Sequence, residues 1–318
     1  MSAAAGPPCS PNQKSDWCDL APHVLVCKAF KRSILRPEAW PLSLTPLTPR
    51  CNHNRMSDSA VHARSDTELA AANRALYDTL WADAQLIEPR RFNTWPLVSA
   101  LAAQSRRALE VAPGLRPRLP LQRTQFLDIS AAAMARFRAR GAATAIGVIN
   151  ALPFADQTFD LVCSFDIVEH VDDDETALAE LSRVCAPGGT LLLSVPLHEA
   201  AWTAFDDFVG HRRRYEPQDL ANKLRRHGFD IERSAVFGMQ PKSSRLVALG
   251  MRHLRHHRQR AMWWYNHVFM PIGLRMQKKL RWQPGLIDDP RVDTALMVCR
   301  KQAEPPSGVR FTYRGSES

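Results

Sequence analysis

Apolar and polar residues follow one another in blocks along Gly147–Val195, and the order of the blocks predicts a parallel βαβ unit. The blocks are an apolar run, an acidic turn, an amphipathic segment and a second apolar run: Phe159–Ser164, Asp172–Asp174, Glu175–Ala186 and Thr190–Val195. The amphipathic segment has the 3.6-residue period of a helix, which Asp172 or Asp173 can cap and Pro187-Gly188-Gly189 should end. Both flanking runs are apolar almost throughout, as in parallel strands covered by helices on both faces.

Further apolar runs predict the remaining strands of the same sheet. These runs are Arg107–Ala112, Gln125–Ile129, Thr144–Ile149, Phe229–Phe237 and Asp293–Cys299. Helices are expected at Ser130–Arg140 and Pro217–His227, each followed by a glycine. Two more are expected before the first strand, one after the S-x-x-E capping box at Ser65 and one after Asn93-Thr94. Alternating strands and helices predict an α/β fold.

Composition divides the chain into segments. Residues 1–55 carry eight of the 23 prolines and no long amphipathic run, so they are expected to be a disordered extension. Met56 opens a polar stretch that leads into a helix, and either Met1 or Met56 can be the native start. Residues 56–105 are expected to form N-terminal helices, residues 106–301 the main domain and residues 302–318 a flexible tail.

Charge is concentrated in one insert. The formal net charge is +10, and residues 241–286 carry ten Lys or Arg with no Asp or Glu. With Trp263-Trp264-Tyr265, this helical insert is interpreted as a surface for peripheral membrane contact. Nucleic acid is the less favoured partner, and packing of its apolar faces on the sheet or on a second subunit is an equally good explanation.

Several classes of protein and site are not expected. No stretch of 18 uncharged apolar residues and no signal-peptide pattern occurs, so a cytoplasmic protein with optional membrane association is predicted. The seven cysteines form no C-x-x-C pair, so neither a metal site nor a disulfide is predicted. The spacing of His253, His256 and His257 could hold a metal, but a solvated cationic face is favoured.

Four segments, in this order and spacing, resemble the class I S-adenosylmethionine-dependent methyltransferases. They read LPFADQTFDLV, DIVEHVDD, ELSRVCAPGGTLLLSVP and GHRRRYEPQDLANKLRRHGFDI. The likeness extends over roughly Arg106–Met239, with Thr294–Lys301 as the last strand. It implies a Rossmann-like, seven-stranded, mostly parallel sheet with helices on both faces, and the residues of the insert add a helical segment before the last strand. The resemblance also implies S-adenosyl-L-methionine as cofactor and a small-molecule methyl acceptor, and the membrane interpretation of the insert makes a lipid-like acceptor the other choice.

The resemblance assigns cofactor-binding roles to residues at the ends of the first two strands. Glu110 matches the acid that precedes the glycine-rich loop, and Gly114 matches one of its glycines. Ala112 and Arg116 stand where two others are expected. Asp128 is expected to accept the ribose hydroxyls, although it could simply cap the next helix.

The ends of the third and fourth strands complete the predicted cofactor site. The family often has an acid at the position of Val148, and here Asn150 or the main chain at Ile149 would have to substitute for it. Ser164 ends the fourth strand, at the edge where ligands bind in parallel sheets.

Catalytic groups are sought in Pro196–Glu216, the loop after the fifth strand. His211 is predicted to be the general base and Tyr215 a supporting hydroxyl. The alternative is that the acids and the three consecutive arginines of this loop form a surface salt-bridge cluster.

Other functions remain open. An RNA methyltransferase and a binding protein that keeps the fold without catalysis are both compatible with the motifs. A nicotinamide-dependent oxidoreductase is disfavoured, because Pro117 and Pro120 interrupt the helix that should follow its glycine-rich loop.

Overall fold

An eight-stranded sheet forms the centre of the fold. The computed structural model describes residues 84–238, 249–250, 252–253 and 256–303, with the backbone alone for Arg258. All of these lie in His62–Ser318, one of the two units into which the chain divides. The predictions for 1–55, for the helix after Ser65 and for nearly all of the tail fall outside the described residues, so the predicted domain limits stay predictions.

The strands are arranged in the order β3-β2-β1-β4-β5-β8-β6-β7. Their bounds are Ala108–Val111 (β1), Thr124–Asp128 (β2), Ala143–Ile146 (β3), Phe159–Phe165 (β4), Cys185–Pro196 (β5), Phe229–Val236 (β6), Trp282–Pro284 (β7) and Thr294–Lys301 (β8). Strands β1 to β5 are mutually parallel, and β8 pairs antiparallel with both β5 and β6. The predicted Rossmann-like α/β fold is confirmed.

The predicted number of seven strands is wrong by one. Strand β7 lies inside the insert that the sequence assigned to helices, and it pairs antiparallel with β6 from Arg233 to Ala235. Its three residues include a proline at the sheet edge, where a missing N–H group leaves no ladder bond broken. A segment this short has no period that sequence reading can detect.

Helices cover both faces of the sheet. They are Trp95–Gln104 (α1), Ala131–Arg138 (α2), Asp174–Val184 (α3), Ala204–Val209 (α4), Pro217–Arg226 (α5), Arg258–Trp264 (α6) and Met270–Arg275 (α7), and a π-helical turn at Tyr265–Phe269 joins the last two. Successive residues of β5 belong to different core clusters, one on each face of the sheet. Leu191 is in the same cluster as Leu178 and Leu224, whereas Leu192 is in the cluster that contains Phe137 and Val98. In the described part of the chain, no helix is long and apolar enough to cross a bilayer.

The end of α3 differs from the prediction. The helix ends at Val184, and Pro187-Gly188-Gly189 lies inside β5 instead of in a turn before it. Cys185 already pairs with Phe159 of β4, so the strand starts early and contains a register shift. A Cβ atom on Gly189 would lie 2.7 Å from the carbonyl oxygen of Ala186, which explains why glycine is needed there.

The insert contacts the segment before β1. Ile87 and Phe92 of that segment form a small core with Met270 and Leu274 of the insert. The side chain of Gln277 accepts a hydrogen bond from the amide of Asn93 at 2.9 Å and donates one to the carbonyl of Arg91 at 3.0 Å. The insert is therefore packed against the domain along at least this part of its length.

Candidate active site

The loop after β1 is organised by a buried carboxylate. Glu110 is 1% exposed, and its oxygens accept hydrogen bonds from the amides of Arg118 and Leu119 at 2.8 to 3.1 Å. Burial raises the pKa of Glu110 to about 7, against the lowering effect of these bonds. Ala112 and Gly114 both have a φ of +54°, so the chain turns back sharply. Glu110, which was predicted to bind the cofactor, therefore stabilises the loop after β1 through these hydrogen bonds.

Asp128 connects this loop to the next helix. One carboxylate oxygen accepts from the amide of Gly114 at 3.0 Å and the other from the amide of Ser130 at 2.8 Å. The hydroxyl of Ser130 caps α2 by accepting from the amide of Ala133 at 3.1 Å. The cap is therefore Ser130, and ribose binding by Asp128 stays a prediction.

Two buried polar atoms near this loop have no hydrogen-bond partner. The hydroxyl of Ser164 is one, on a residue paired in register with Val111, and Nη1 of Arg118 is the other. The guanidinium of Arg118 lies over the rings of Phe92, at 3.7 Å, and Phe165, at 5.8 Å. Burial lowers the pKa of Arg118 to about 10, so it stays cationic at neutral pH. Unpartnered buried donors at a strand end fit a polar ligand such as a cofactor with a carboxylate.

Asn150, predicted to bind the cofactor at the end of the third strand, already makes a hydrogen bond within the protein. The side-chain amide of Asn150 donates to the carbonyl of Asp173 at 2.7 Å, at the start of α3. Ile149 is buried in the main core cluster. Asn150 can still contact a ligand through its side-chain oxygen or its second N–H, whereas the contact predicted for Ile149 would have to use main-chain atoms.

Asp206 fixes the geometry of the loop after β5. It lies in α4, where it forms a capping box with Thr203, and it accepts two hydrogen bonds from Arg214, at 2.9 and 3.0 Å. Burial alone would raise the pKa of Asp206, but these bonds and one from His211 outweigh it and hold the pKa at about 2. The carboxylate is therefore ionised over the whole physiological range.

His211 lies between two acids. Its Nδ1 atom is 2.8 Å from Oδ1 of Asp206, and its Nε2 atom is 3.8 Å from Oε1 of Glu169. The ring of His170 packs edge-on against the ring of His211, with centroids 4.7 Å apart. The other nitrogen of His211 therefore faces a small cluster of ionisable groups, and its predicted role as a base stays a prediction.

Glu169 and His170 were not selected from the sequence. They lie in the turn after β4, and the amide of Arg212 donates to the carbonyl of Glu169 at 2.8 Å, which ties this turn to the His211 loop. Burial raises the pKa of Glu169 well above its usual value and lowers the pKa of His170 to about 4. The sequence placed them directly after a predicted strand and inside the family-like segment DIVEHVDD, but it did not distinguish these two side chains from their neighbours.

Tyr215 occupies a different environment from the one predicted. Its hydroxyl donates to Oδ2 of Asp174 at 2.9 Å, and its side chain is buried. Burial, followed by the charge of Asp174, raises the pKa of Tyr215, which makes it a poor source of a proton-accepting oxygen. This geometry supports a structural role between α3 and the loop.

The three arginines of this loop form ion pairs. Arg212 pairs with Asp172 at 3.3 Å, and Arg213 with Asp174 at 2.6 Å. Arg214 pairs with Asp206 and, at 2.8 Å, with Asp293. All three arginines are thus in ion pairs, as in the salt-bridge alternative, but Arg214 and Asp206 are buried instead of lying at the surface, and the partners of Arg212 and Arg213 lie outside the loop.

Comparisons with known proteins agree with this architecture. A family model described as "Methyltransferase domain" matches residues 111–193. A malonyl-[acyl-carrier protein] O-methyltransferase of Erwinia billingiae is 35% identical over 129 residues, which is 35% of this chain and 51% of that protein. An uncharacterised protein of Mycobacterium bovis is 30% identical over 209 residues, which is 61% of this chain and 71% of that protein.

The chain belongs to the class I S-adenosylmethionine-dependent methyltransferase family. S-adenosylmethionine is the cofactor of this family. The chain spans about half the length of the first curated relatives it matches. A solved methyltransferase of Thermotoga maritima aligns over 73% of this chain and 94% of its own, with 16% identity and a TM-score of 0.46.

Proposed function

We propose that this methyltransferase-family chain transfers a methyl group from S-adenosylmethionine to an oxygen atom of a small-molecule or lipid-like acceptor. The observation that carries the proposal is the position of His211, which is oriented by Asp206 and faces Glu169 beside the turn after β4. A hydroxyl keeps its proton at neutral pH, so its methylation needs a group that favours the deprotonated oxygen. The O-methyltransferase among the relatives supports the choice of oxygen.

The chain offers a set of groups for the cofactor. Asp128 would accept the ribose hydroxyls, since each carboxylate oxygen has more than one lone pair. The unpartnered donors Arg118 Nη1 and Ser164 Oγ fit the polar groups of the methionine part. When bound, S-adenosylmethionine supplies an electrophilic methyl group, whose bond to sulfur breaks, with its electron pair going to sulfur, as the bond to the acceptor oxygen forms.

The acceptor side would be formed by the turn after β4 and the His211 loop. The protein must hold the acceptor oxygen in line with the methyl group and remove its proton, because alignment supplies most of the rate enhancement in such a displacement. The cluster of Glu169, His170 and His211 is the candidate for the second task. Its fixed attachment to Asp206 and to the Arg212 amide would keep the imidazole in place.

The test has a binding step and a turnover step. Calorimetric titration with S-adenosylmethionine and S-adenosylhomocysteine should give saturable binding to the purified chain. Transfer of labelled methyl to a panel of hydroxyl, carboxyl and amine acceptors should then be detected for an oxygen acceptor. His211→Ala should lower kcat by about 100-fold or more without changing cofactor affinity.

A matched control is His227→Ala. That imidazole is bound to Glu175 at 2.6 Å, so its loss should leave turnover unchanged. Cofactor binding without transfer to any acceptor would favour the non-catalytic alternative. Equal turnover in the His211 and His227 variants would remove the proposed acceptor site.

A lipid-like acceptor is supported by the insert. Trp263 is 53% exposed, its ring stacks on His267 with centroids 4.8 Å apart, and the insert carries an excess of cations. An exposed tryptophan beside cations suits the headgroup region of an anionic membrane. Co-sedimentation with anionic vesicles at low salt should exceed that with neutral vesicles, and Trp263→Ala should reduce it.

The same measurement separates the alternatives. Failure to bind anionic vesicles would remove the membrane role. Tight, salt-dependent binding of an oligonucleotide would instead favour an RNA acceptor.

A further inference from the structure

We infer that Glu169, His170 and His211 form a binding site for one divalent transition-metal ion. The ligand atoms that these three side chains offer lie within 4.8 Å of one another. A metal ion here would explain how the cluster favours a deprotonated acceptor. This catalytic role of the metal rests on the proposed function. Metal binding itself can be tested without any turnover.

The first argument is the state of Glu169. This side chain is 1% exposed, and neither of its carboxylate oxygens has a hydrogen-bond partner. A buried polar group that lacks partners costs free energy, and buried charges are normally paired or bound to a metal. The guanidinium of the nearby Arg214 is already bound to Asp206 and Asp293. A cation between Glu169 and the two imidazoles would satisfy this carboxylate.

The second argument is the surroundings of the two histidines. An imidazole that binds a metal through one nitrogen usually donates its other N–H group to a carboxylate or a backbone carbonyl. Nδ1 of His211 is held by Asp206 at 2.8 Å, which leaves Nε2 directed at Glu169. The ring of His170 packs edge-on against the ring of His211, with centroids 4.7 Å apart. His211 therefore has the outer contact that metal-ligating histidines use, and His170 lies beside it.

The third argument is the rigidity of the site. The carboxylate of Asp206, which Arg214 binds at 2.9 Å, holds Nδ1 of His211 at 2.8 Å. The Arg212 amide fastens the Glu169 turn to the loop that carries His211. Residues distant in sequence are thus held together before any ion binds, which lowers the cost of assembling the ligands.

The distances allow a metal after a small adjustment. Ligands about 2.1 Å from a zinc ion are roughly 3.4 Å apart in a tetrahedron. The gap of 3.8 Å between Nε2 of His211 and Oε1 of Glu169 needs a few tenths of an ångström of closure, and a pair of ligand atoms at the 4.8 Å limit of the cluster needs about 1.4 Å. Rotation of the unpartnered Glu169 side chain can supply it.

Two imidazoles and one carboxylate select the class of ion. This donor set suits zinc and its first-row neighbours and not Mg²⁺, which prefers oxygen ligands and water. Three protein ligands leave at least one coordination position open. An acceptor hydroxyl bound there would lose its proton to solvent water near neutral pH, because a coordinated metal lowers the pKa of an oxygen ligand.

The test is a titration of the metal-free chain with Co²⁺, followed by visible absorption, with Zn²⁺ as competitor and Mg²⁺ as the contrasting ion. We expect one Co²⁺ per chain, displaced by Zn²⁺ and not by Mg²⁺. Glu169→Gln, His170→Ala and His211→Ala should each weaken Co²⁺ binding by roughly 100-fold or more, since loss of an outer contact alone costs 10- to 100-fold. Glu169→Gln keeps the shape of the side chain, and its thermal unfolding without metal verifies that the variant folds.

Two control variants locate the site. His227→Ala should leave Co²⁺ binding unchanged. The rings of His253 and His257 lie 5.4 Å apart in the insert, and the double variant His253→Ala/His257→Ala should also bind normally. Absence of stoichiometric binding, loss of binding only in this double variant, or a cobalt–thiolate absorption band would each overturn the inference.

Methyl transfer by the metal-free chain separates the two proposals. Full turnover in the presence of a chelator would support the proposed function and exclude a catalytic role of the metal. Co²⁺ binding in a chain that methylates no acceptor would retain the metal site and remove the proposed function.

Discussion

Arg214 donates two parallel hydrogen bonds to the carboxylate of Asp206, from Nε to Oδ1 at 2.9 Å and from Nη2 to Oδ2 at 3.0 Å. Both side chains are almost completely buried. The same guanidinium donates through Nη1 to Asp293 and to the carbonyl of Leu197. A forked guanidinium–carboxylate pair is the strongest geometry for such a contact. It fixes the helix that presents Asp206 to His211.

The first prediction concerns this pair. Arg214→Ala leaves the carboxylate of Asp206 buried without its main partner, and we expect a loss of roughly 3–5 kcal/mol in the free energy of unfolding. Urea unfolding measures it. The control is Arg291→Ala, whose guanidinium pairs with Asp289 while 86% exposed, and which should cost under about 1 kcal/mol. Similar losses in the two variants would contradict the structural importance of the buried pair.

The second prediction is a pH dependence that originates from Glu110. Its pKa is about 7 in the folded chain and 4.5 ordinarily, so the folded state keeps this proton to higher pH than the unfolded state does. Its contribution to stability is therefore complete below pH 4.5 and is lost as the pH rises through 7, by about 3 kcal/mol at most. The difference in unfolding free energy between the parent chain and Glu110→Gln should decline over that interval. A difference that is constant with pH would exclude the raised pKa.

The third prediction tests the cofactor site. Asp128→Ala should weaken S-adenosylmethionine binding by roughly 1–3 kcal/mol, the scale of hydrogen bonds to a charged group. Calorimetric titration measures the affinity. Ser130→Ala removes the cap of α2 and leaves the carboxylate in place, so it should lower stability without this loss of affinity. Unchanged affinity in the Asp128 variant would refute the ribose role.

The fourth prediction separates two adjacent acids. Asp173 accepts from the amide of Thr176 at 2.9 Å and caps α3, whereas Asp172 only pairs with Arg212 at the surface. Asp173→Ala should lower the unfolding temperature, because α3 loses its N-cap, and Asp172→Ala should lower it less. Thermal unfolding of the two variants side by side measures the difference. The reverse order would assign the cap to Asp172.

Much of the sheet was predictable because its strands are apolar runs bounded by clear stop signals. Phe159 and Thr190 lie in runs that are apolar almost throughout, with Asp160 their one charged residue, and Gly228 follows a helix whose last turn is basic. The end of α3 was misjudged because proline and glycine also occur inside a strand where a neighbouring backbone comes close. Gly189 is such a position.

The candidate site was less predictable than the fold. His211 was selected because a histidine in a loop over strand ends is a common catalytic group, whereas Glu169 and His170 carried no periodic or spacing signal. Their relation to His211 depends on two loops being fastened together by the Arg212 amide, a contact that only the folded chain creates. Tyr215 shows the opposite case, since its hydroxyl is committed to Asp174 by packing that the sequence does not reveal.

Strand β8 lies between β5 and β6, although it comes last in the sequence. A chain emerging from the ribosome can pair β1 to β5 as they are synthesised. Strand β6 can pair only with β7 until its other neighbour, Thr294–Lys301, has been synthesised. The apolar edge of β5 stays open for that whole interval, and an open edge is a template for pairing with other chains. Synthesis of this protein therefore includes a late, aggregation-prone stage that ends only when the last strand enters the middle of the sheet.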